Sequence, residues 1–279
     1  QMKNYLFSIL FLIQCVSAEA QQGLEKIIVE KYYISNDEDE KGTDGALSSG
    51  SVTYRIFVDM LPKYRFQAVY GVPGHPMKIS TTSYFYNDEV NGGATANDIS
   101  NMDLNTGAVM LDSWVSVCAG SDGNFAVLKE DDSTTIVNSN QRILQNVDRK
   151  SKISLKASDG LYPASPLSIA SIYGIDSLQM LFFKNNIPAN EGQSFYTDNG
   201  SWASFGGSIG LDSSNRVLIA QLTTEGEFSF ELNLQLGTPF GGVENYVAKD
   251  PIGEEILFPG LNYKNENVKT LSPPVGKLN

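Results

Sequence analysis

Residues 228–236 alternate without exception. Phe228, Phe230, Leu232, Leu234 and Leu236 are apolar; Ser229, Glu231, Asn233 and Gln235 are polar. A period of two predicts a β-strand with one face on a core and the other in water, the habit of antiparallel sheets. Val52, Tyr54, Ile56, Val58 and Met60 repeat the pattern less strictly against Thr53, Arg55, Phe57 and Asp59. Residues 216–223 also read as extended, and Glu225-Gly226 predicts a tight hairpin between them and 228–236. Further strands are predicted at 26–34, 65–70, 77–85, 111–118, 124–128, 152–156, 167–173, 178–183, 202–209 and 244–248. Long amphipathic helices are missing; 98–104 and 140–147 have room for a turn or two. The 25 Gly and 11 Pro punctuate these runs. Short strands with such turns predict an all-β fold, an antiparallel β-sandwich of jelly-roll type with little helix. A parallel α/β fold would need crossover helices. A propeller or solenoid would need a fixed repeat.

The ends read differently from the middle. Lys3, the apolar stretch 6–16 and Ala18-Glu19-Ala20 before Gln21 have the three-part layout of a secretory signal peptide over residues 1–20. The apolar part is about half the length of a membrane span. An N-terminal anchor, or a lipoprotein using Cys15, is the lesser alternative. Residues 21–261 then form one β-sandwich domain, and the polar tail 262–279, with Ser272-Pro273-Pro274, is expected to be loosely held. After cleavage Cys118 is the one remaining cysteine, so the fold must stand on its core without a disulfide. In Trp114-Val115-Ser116-Val117-Cys118 it reads as a small buried hydrophobe.

Charge and motifs exclude several function classes. With 20 Lys+Arg against 32 Asp+Glu, the net charge of -12 argues against a phosphate-tracking surface, so nucleic acid is not an expected partner. His75 is the single histidine. That excludes a multi-histidine metal site and leaves no other histidine for a Ser-His-Asp triad; in Pro73-Gly74-His75-Pro76 it reads as a turn residue rather than a catalytic or ligand group. No phosphate-binding glycine loop precedes a helix. A carboxylate pair of the glycosidase kind remains open. Asp112 is either a carboxylate binding local backbone amides at the start of a strand or a general acid.

Two stretches suggest ligands. Asn36-Asp37-Glu38-Asp39-Glu40 and Gly42-Thr43-Asp44-Gly45 supply hard oxygens for calcium, with Asp37, Asp39 and Asp44 as the candidate metal ligands. The EF-hand spacing fails at Lys41, and the alternative is a solvated hairpin loop. Residues 195–202 place Tyr196 and Trp202 around Asp198 and Asn199, a combination suited to stacking on sugar faces and accepting from sugar hydroxyls. The alternative is that Trp202 belongs to the core.

Several segments also share a familiar arrangement. They are Tyr70-Gly71 followed by Pro76-Met77-Lys78-Ile79-Ser80-Thr81-Thr82 and Phe85-Tyr86-Asn87; Gly92-Gly93-Ala94-Thr95-Ala96-Asn97-Asp98-Ile99; Leu111-Asp112-Ser113-Trp114-Val115-Ser116-Val117; and 217–226 leading into Leu232-Asn233-Leu234-Gln235. This resembles a widespread group of secreted bacterial proteins of unassigned function, whose members often carry a C-terminal surface-anchoring module. The resemblance implies a secreted all-β module and brings no catalytic residues. The expected function is therefore a secreted, extracellular or cell-surface module that binds or builds, without catalysis: adhesion, matrix or glycan binding. A polysaccharide hydrolase with paired carboxylates is one alternative. A surface subunit that assembles by strand addition, with 24–34 as donor, is the other.

Overall fold

The computed structural model describes residues 22–132, 159–165, 167–186 and 192–265. The signal-peptide segment, the strand expected at 152–156 and the turn expected at 140–147 lie outside those residues. Among the described residues the strands are β1 Leu24–Ile34, β2 Val52–Met60, β3 Arg65–Gly71, β4 Met77–Thr81, β5 Trp114–Val115, β6 Ala119–Ser121, β7 Asn124–Ala126 and β8 Leu161–Pro163. They continue with β9 Ala170–Tyr173, β10 Gln193–Thr197, β11 Gly200–Ser208, β12 Arg216–Thr224, β13 Phe228–Glu231, β14 Asn233–Gly237, β15 Val243–Val247, β16 Ile256–Leu257 and β17 Asn262–Lys264. The fold is all-β and sandwich-like, and every strand pair except β15–β16 is antiparallel. No helix among the described residues is long and apolar enough to cross a membrane.

One sheet has the order β1-β2-β12-β5. Tyr54, Ile56, Val58 and Met60 of β2 join Val217, Ile219 and Leu222 of β12 in the main core. There they meet Phe66 and Val69 of β3, Ile79 of β4, Trp202 of β11, Phe228 and Phe230 of β13, and Leu234 and Leu236 of β14. Those opposing strands form two sheets in register with one another, β10-β4-β13-β17 and β9-β11-β3-β14-β15-β16. Each of β4/β3, β10/β11 and β13/β14 joins one sheet to the other, so the second layer is one long sheet with a break across its middle. At the break Gly71 faces the Thr197 carbonyl so closely that a Cβ has no room. The run 228–236 is therefore two strands. Its alternation holds through the break, but Asn233 is buried, donating to the carbonyls of Tyr70 (3.0 Å) and His75 (2.8 Å). His75 closes a turn with Val72, as its proline-rich surroundings predict.

The other face of the first sheet is covered as well. Phe57, Leu218 and Trp114 pack with Ile99, Leu104, Val109, Leu128 and Leu161, from the 96–111 loop and the small sheet β6-β7-β8. β2 is consequently buried on both sides, a correction to the one-face-in-water expectation. Fully burying a side chain such as Phe57 contributes about 1.5–3 kcal/mol.

Other expectations are corrected by local hydrogen bonding. In 111–118 only Trp114–Val115 is strand, preceded by a 3-10 turn at Val109–Leu111. Ser113 Oγ donates to the Tyr86 carbonyl (2.7 Å) and Ser116 Oγ to the Ala119 carbonyl (2.6 Å), which diverts the chain from the ladder. Residues 178–183 form helix α2 (Ser177–Met180) and a 3-10 turn (Leu181–Phe183), because Asp176 and Gln179 make a capping box. The acidic run lies, as the alternative reading expects, in the connection between the hairpin partners β1 and β2, and there it forms a short helix, α1 (Asp37–Gly42). The strand predicted over 77–85 ends at Thr81. Residues 24–34 are an ordinary first strand, paired along their length with β2 in the same chain, not a displaced donor. The tail is held at its start: β17 pairs with β13, and Asn265 Nδ2 donates to Tyr54 Oη (2.9 Å).

Candidate functional site: a cleft over a buried polar row

The polar row begins with register. Glu30 of β1, Arg55 of β2 and Gln221 of β12 lie directly opposite one another, and Trp114 of β5 continues the row. Past Arg55, β1 gains one residue: Lys31 pairs with Tyr54, but Tyr33 pairs with Thr53. The bulged residue is Tyr32, whose ring is fully buried 3.5 Å beneath the Arg55 guanidinium carbon. Arg55 is only 2% exposed. Its Nε donates to Gln221 Oε1 (2.8 Å) and its Nη1 to the Gly160 carbonyl (3.2 Å). Gln221 Nε2 passes the network on to the carbonyls of Asp112 (2.8 Å) and Met110 (3.1 Å). Lys129 Nζ donates to the Tyr32 carbonyl, and Tyr32 Oη to the Asp159 carbonyl (2.7 Å).

Burial sets the titration of this row. It pushes the Glu30 carboxyl up, against the pull of Arg55 and the Lys129 amide. Glu30 Oε1 accepts from Lys129 N (2.8 Å), while Oε2 is out of solvent without a hydrogen-bond partner among the described residues. Burial pushes the Lys129 ammonium down to about 8, partly offset by Glu30, and the Tyr32 hydroxyl up to about 12.

Above the row lies a cleft of about 540 Å³, floored by Leu128, Asp132 and Leu161 and walled by β8 and the 211–216 loop. Asp132 connects the two levels, since its Oδ2 accepts from Gly160 N (2.8 Å) and the Gly160 carbonyl accepts from Arg55. Gly160 has φ +68, and a Cβ there would stand 2.7 Å from Arg55 Nη1. Arg216 at the start of β12 reaches Asp131 Oδ2 (2.7 Å) and Asp59 Oδ2 (3.3 Å); Lys26 Nζ lies 3.4 Å from the same Asp59 oxygen. Partial burial works against the Arg216 charge, yet the two carboxylates hold its pKa above the ordinary value. Asp212 accepts from Ser214 Oγ (2.6 Å) and N (2.8 Å), which lowers its pKa. Asn215, at φ +52, ties the loop down by donating to the carbonyls of Leu61 (2.8 Å) and Tyr64 (3.0 Å). Tyr162 is 54% exposed on the β8 wall beside Pro163.

The ligand residues expected from sequence are placed elsewhere, and neither set is assembled. Asp39 Oδ2 accepts from Asn36 N (2.8 Å) and Tyr33 Oη (2.7 Å), closing the helix cap. Asp37 Oδ1 accepts from Ser49 Oγ (2.7 Å), and Asp44 sits in the following turn at φ +51. Among the described residues no three His, Cys, Asp or Glu side chains come together as a metal site. The acidic run is a helix start, where carboxylates satisfy backbone amides. Of the expected sugar site, Tyr196 is half exposed and Asp198 and Asn199 lie in the exposed turn after β10. Trp202 has 0% exposure and donates from Nε1 to the Ile219 carbonyl (3.1 Å), so it is core. Asp112 is the backbone-binding carboxylate of the first reading. Its Oδ1 accepts from Asp88 N (2.8 Å) and its Oδ2 from Gly93 N (2.9 Å), although burial holds its pKa well above the usual range. Cys118 is buried and burial raises its thiol pKa.

Asp131, Tyr162 and Arg216 were not singled out by sequence reasoning, nor was the Glu30–Arg55–Gln221 row. One signal was there: Phe57 stands among the nominally polar positions of β2, which marks a strand covered on both faces. Compared with known proteins, the chain matches no family model, no curated protein and no solved structure.

Proposed function

We propose that this chain is a secreted, extracellular binding module without catalysis, and that it meets its ligand in the cleft between β8 and the 211–216 loop. The observation that carries the reading is the state of the cleft's charged groups. Arg216 is already paired with Asp131 and Asp59, and the loop bearing Asp212 is pinned by Ser214 and Asn215. Such a site is pre-organised for recognition. Among the described residues the two carboxyls that burial raises, Glu30 and Asp112, do not line it; each accepts from backbone amides instead. A hydrolase needs an acid with raised pKa facing its substrate. The apolar leader and the resemblance to secreted bacterial proteins support the location.

Co-sedimentation with insoluble extracellular polysaccharides, read alongside released reducing ends, tests this. Retention without new reducing ends is the expected result. Release that disappears in Asp131→Asn would overturn the non-catalytic reading.

A further inference from the structure

We infer that the cleft takes an uncharged saccharide, with a sugar face against Tyr162 and sugar hydroxyls on Asp131 and its neighbours. This rests on the reading of the chain as a binding module and adds the ligand's chemistry.

The shape comes first. A volume of about 540 Å³ is in the usual range of small-ligand clefts, roughly 300–1,000 Å³. The walls are of two kinds. Leu161, Tyr162, Pro163 and Leu211 offer apolar surface, and the Tyr162 ring is half exposed at its edge. Asp131, Asp212 and Arg216 face the same space. A pyranose has the matching duality: axial C–H groups make an apolar face, and equatorial hydroxyls make a polar rim. Carboxylates are acceptors only, with about four lone-pair sites each. Asp131 therefore retains acceptor capacity for sugar hydroxyls after it has received Arg216.

Charge decides against the competing ligands. Among the described residues Arg216 is the one cation lining the cleft, and Asp131, Asp132 and Asp212 line it too, with Asp59 behind. A phosphate, sulfate or uronate would find the guanidinium already paired and an excess of negative charge around it; like charges across an interface cost several kcal/mol. A cation would be drawn to those carboxylates but would leave the apolar wall of Leu211 and Pro163 unused. A neutral polyol suffers neither penalty.

The chain's full length is tested by calorimetric titration with cellohexaose, xylohexaose and maltohexaose as neutral probes, hexagalacturonate as the anionic probe and spermidine as the cationic one. The expected result is binding of at least one neutral hexasaccharide, insensitive to salt. Tyr162→Ala should weaken it at least tenfold and Tyr162→Phe should restore it. Tyr162 is exposed, so an unchanged melting curve verifies that the variants fold. If hexagalacturonate or spermidine binds and Tyr162→Ala or Asp131→Asn abolishes it, the ligand class is wrong while the binding-module reading stands. If the neutral probes are not bound at millimolar concentration, or bind equally well to Tyr162→Ala, the assignment of this cleft to a sugar is overturned. Reducing ends appearing from a bound probe would overturn the non-catalytic reading and leave the ligand class intact.

Discussion

The two faces of β2 are buried by opposite means. One presents Tyr54, Ile56, Val58 and Met60 to a large apolar core. The other presents Thr53, Arg55, Phe57 and Asp59, nearly as inaccessible, of which only Phe57 is apolar. The first face stabilises the fold through area removed from water, at about 25 cal/mol per Å². The second must offset desolvation with partners: Gln221, Tyr32 and Gly160 for Arg55, Thr223 for Thr53, and Arg216 and Lys26 for Asp59. A buried ionic network adds little net stability but costs heavily when half of it is removed. The apolar face supplies stability. The polar face sets strand register, the Tyr32 bulge and the floor of the cleft.

The largest effect should come from cutting the polar face at its centre. Arg55→Ala is expected to lower unfolding free energy in urea by about 3–5 kcal/mol, because it strands Gln221 and the Gly160 carbonyl. Ile56→Ala, one residue on but facing the other way, should cost about 2–5 kcal/mol through its cavity. The two should differ in kind. Adding Gln221→Leu to Arg55→Ala should recover part of the loss, whereas adding it to Ile56→Ala should not. Equal behaviour in both backgrounds would mean the row is not a unit.

Gly160→Ala should come next, at about 1–3 kcal/mol, from a positive φ and a clash with Arg55. Urea unfolding reads this directly, and a neutral result would show that Arg55 has room to move.

The pH dependence isolates Lys129. Its folded pKa, about 8, lies below the unfolded value near 10.4, so between those values the unfolded chain binds more protons. Stability should therefore rise with pH from about 8 towards 10, by on the order of 1–2 kcal/mol. The same comparison in Lys129→Met should lack that rise. The buried Cys118 works in the opposite sense from about pH 8.5 and Tyr32 above about pH 10, so the readout is the difference between the parent chain and Lys129→Met.

The smallest effects belong to the acidic helix. Asp37→Asn and Asp44→Asn should each change stability by less than about 0.5 kcal/mol, as ordinary surface substitutions do. The melting temperature should be the same in calcium and in EDTA. A calcium-dependent rise would restore the cation reading of this segment.

Much of the fold could be read from local pattern. Strands β2, β3, β11 and β12 and the core role of Cys118 follow from periodicity, since each depends on neighbours in the chain. The hairpin expected at Glu225-Gly226 does not form, because the turn carries the chain from one layer to the other, where β12 pairs with β2 and β5 and β13 pairs with β4 and β17. The two stretches read as ligand sites have one origin. Asp37–Glu40 and the 195–202 stretch drew attention because their polar and aromatic residues are adjacent in sequence, yet alternation sends Tyr196 outward and Trp202 inward. Conversely Glu30, Arg55, Lys129 and Gln221 are each unremarkable alone and up to 191 positions apart. Only the register of β1, β2 and β12 aligns three of them, and only the 127–132 segment brings in the fourth.

Local sequence by itself determined that the chain forms short antiparallel strands around an apolar core, because hydrophobic periodicity and turn propensity act over a few residues. Tertiary structure alone decided which polar positions leave water. A β-strand presents the same alternation whether its second face meets solvent or a further layer, and the layer over β2 comes from residues 96–128 and 161, far along the chain.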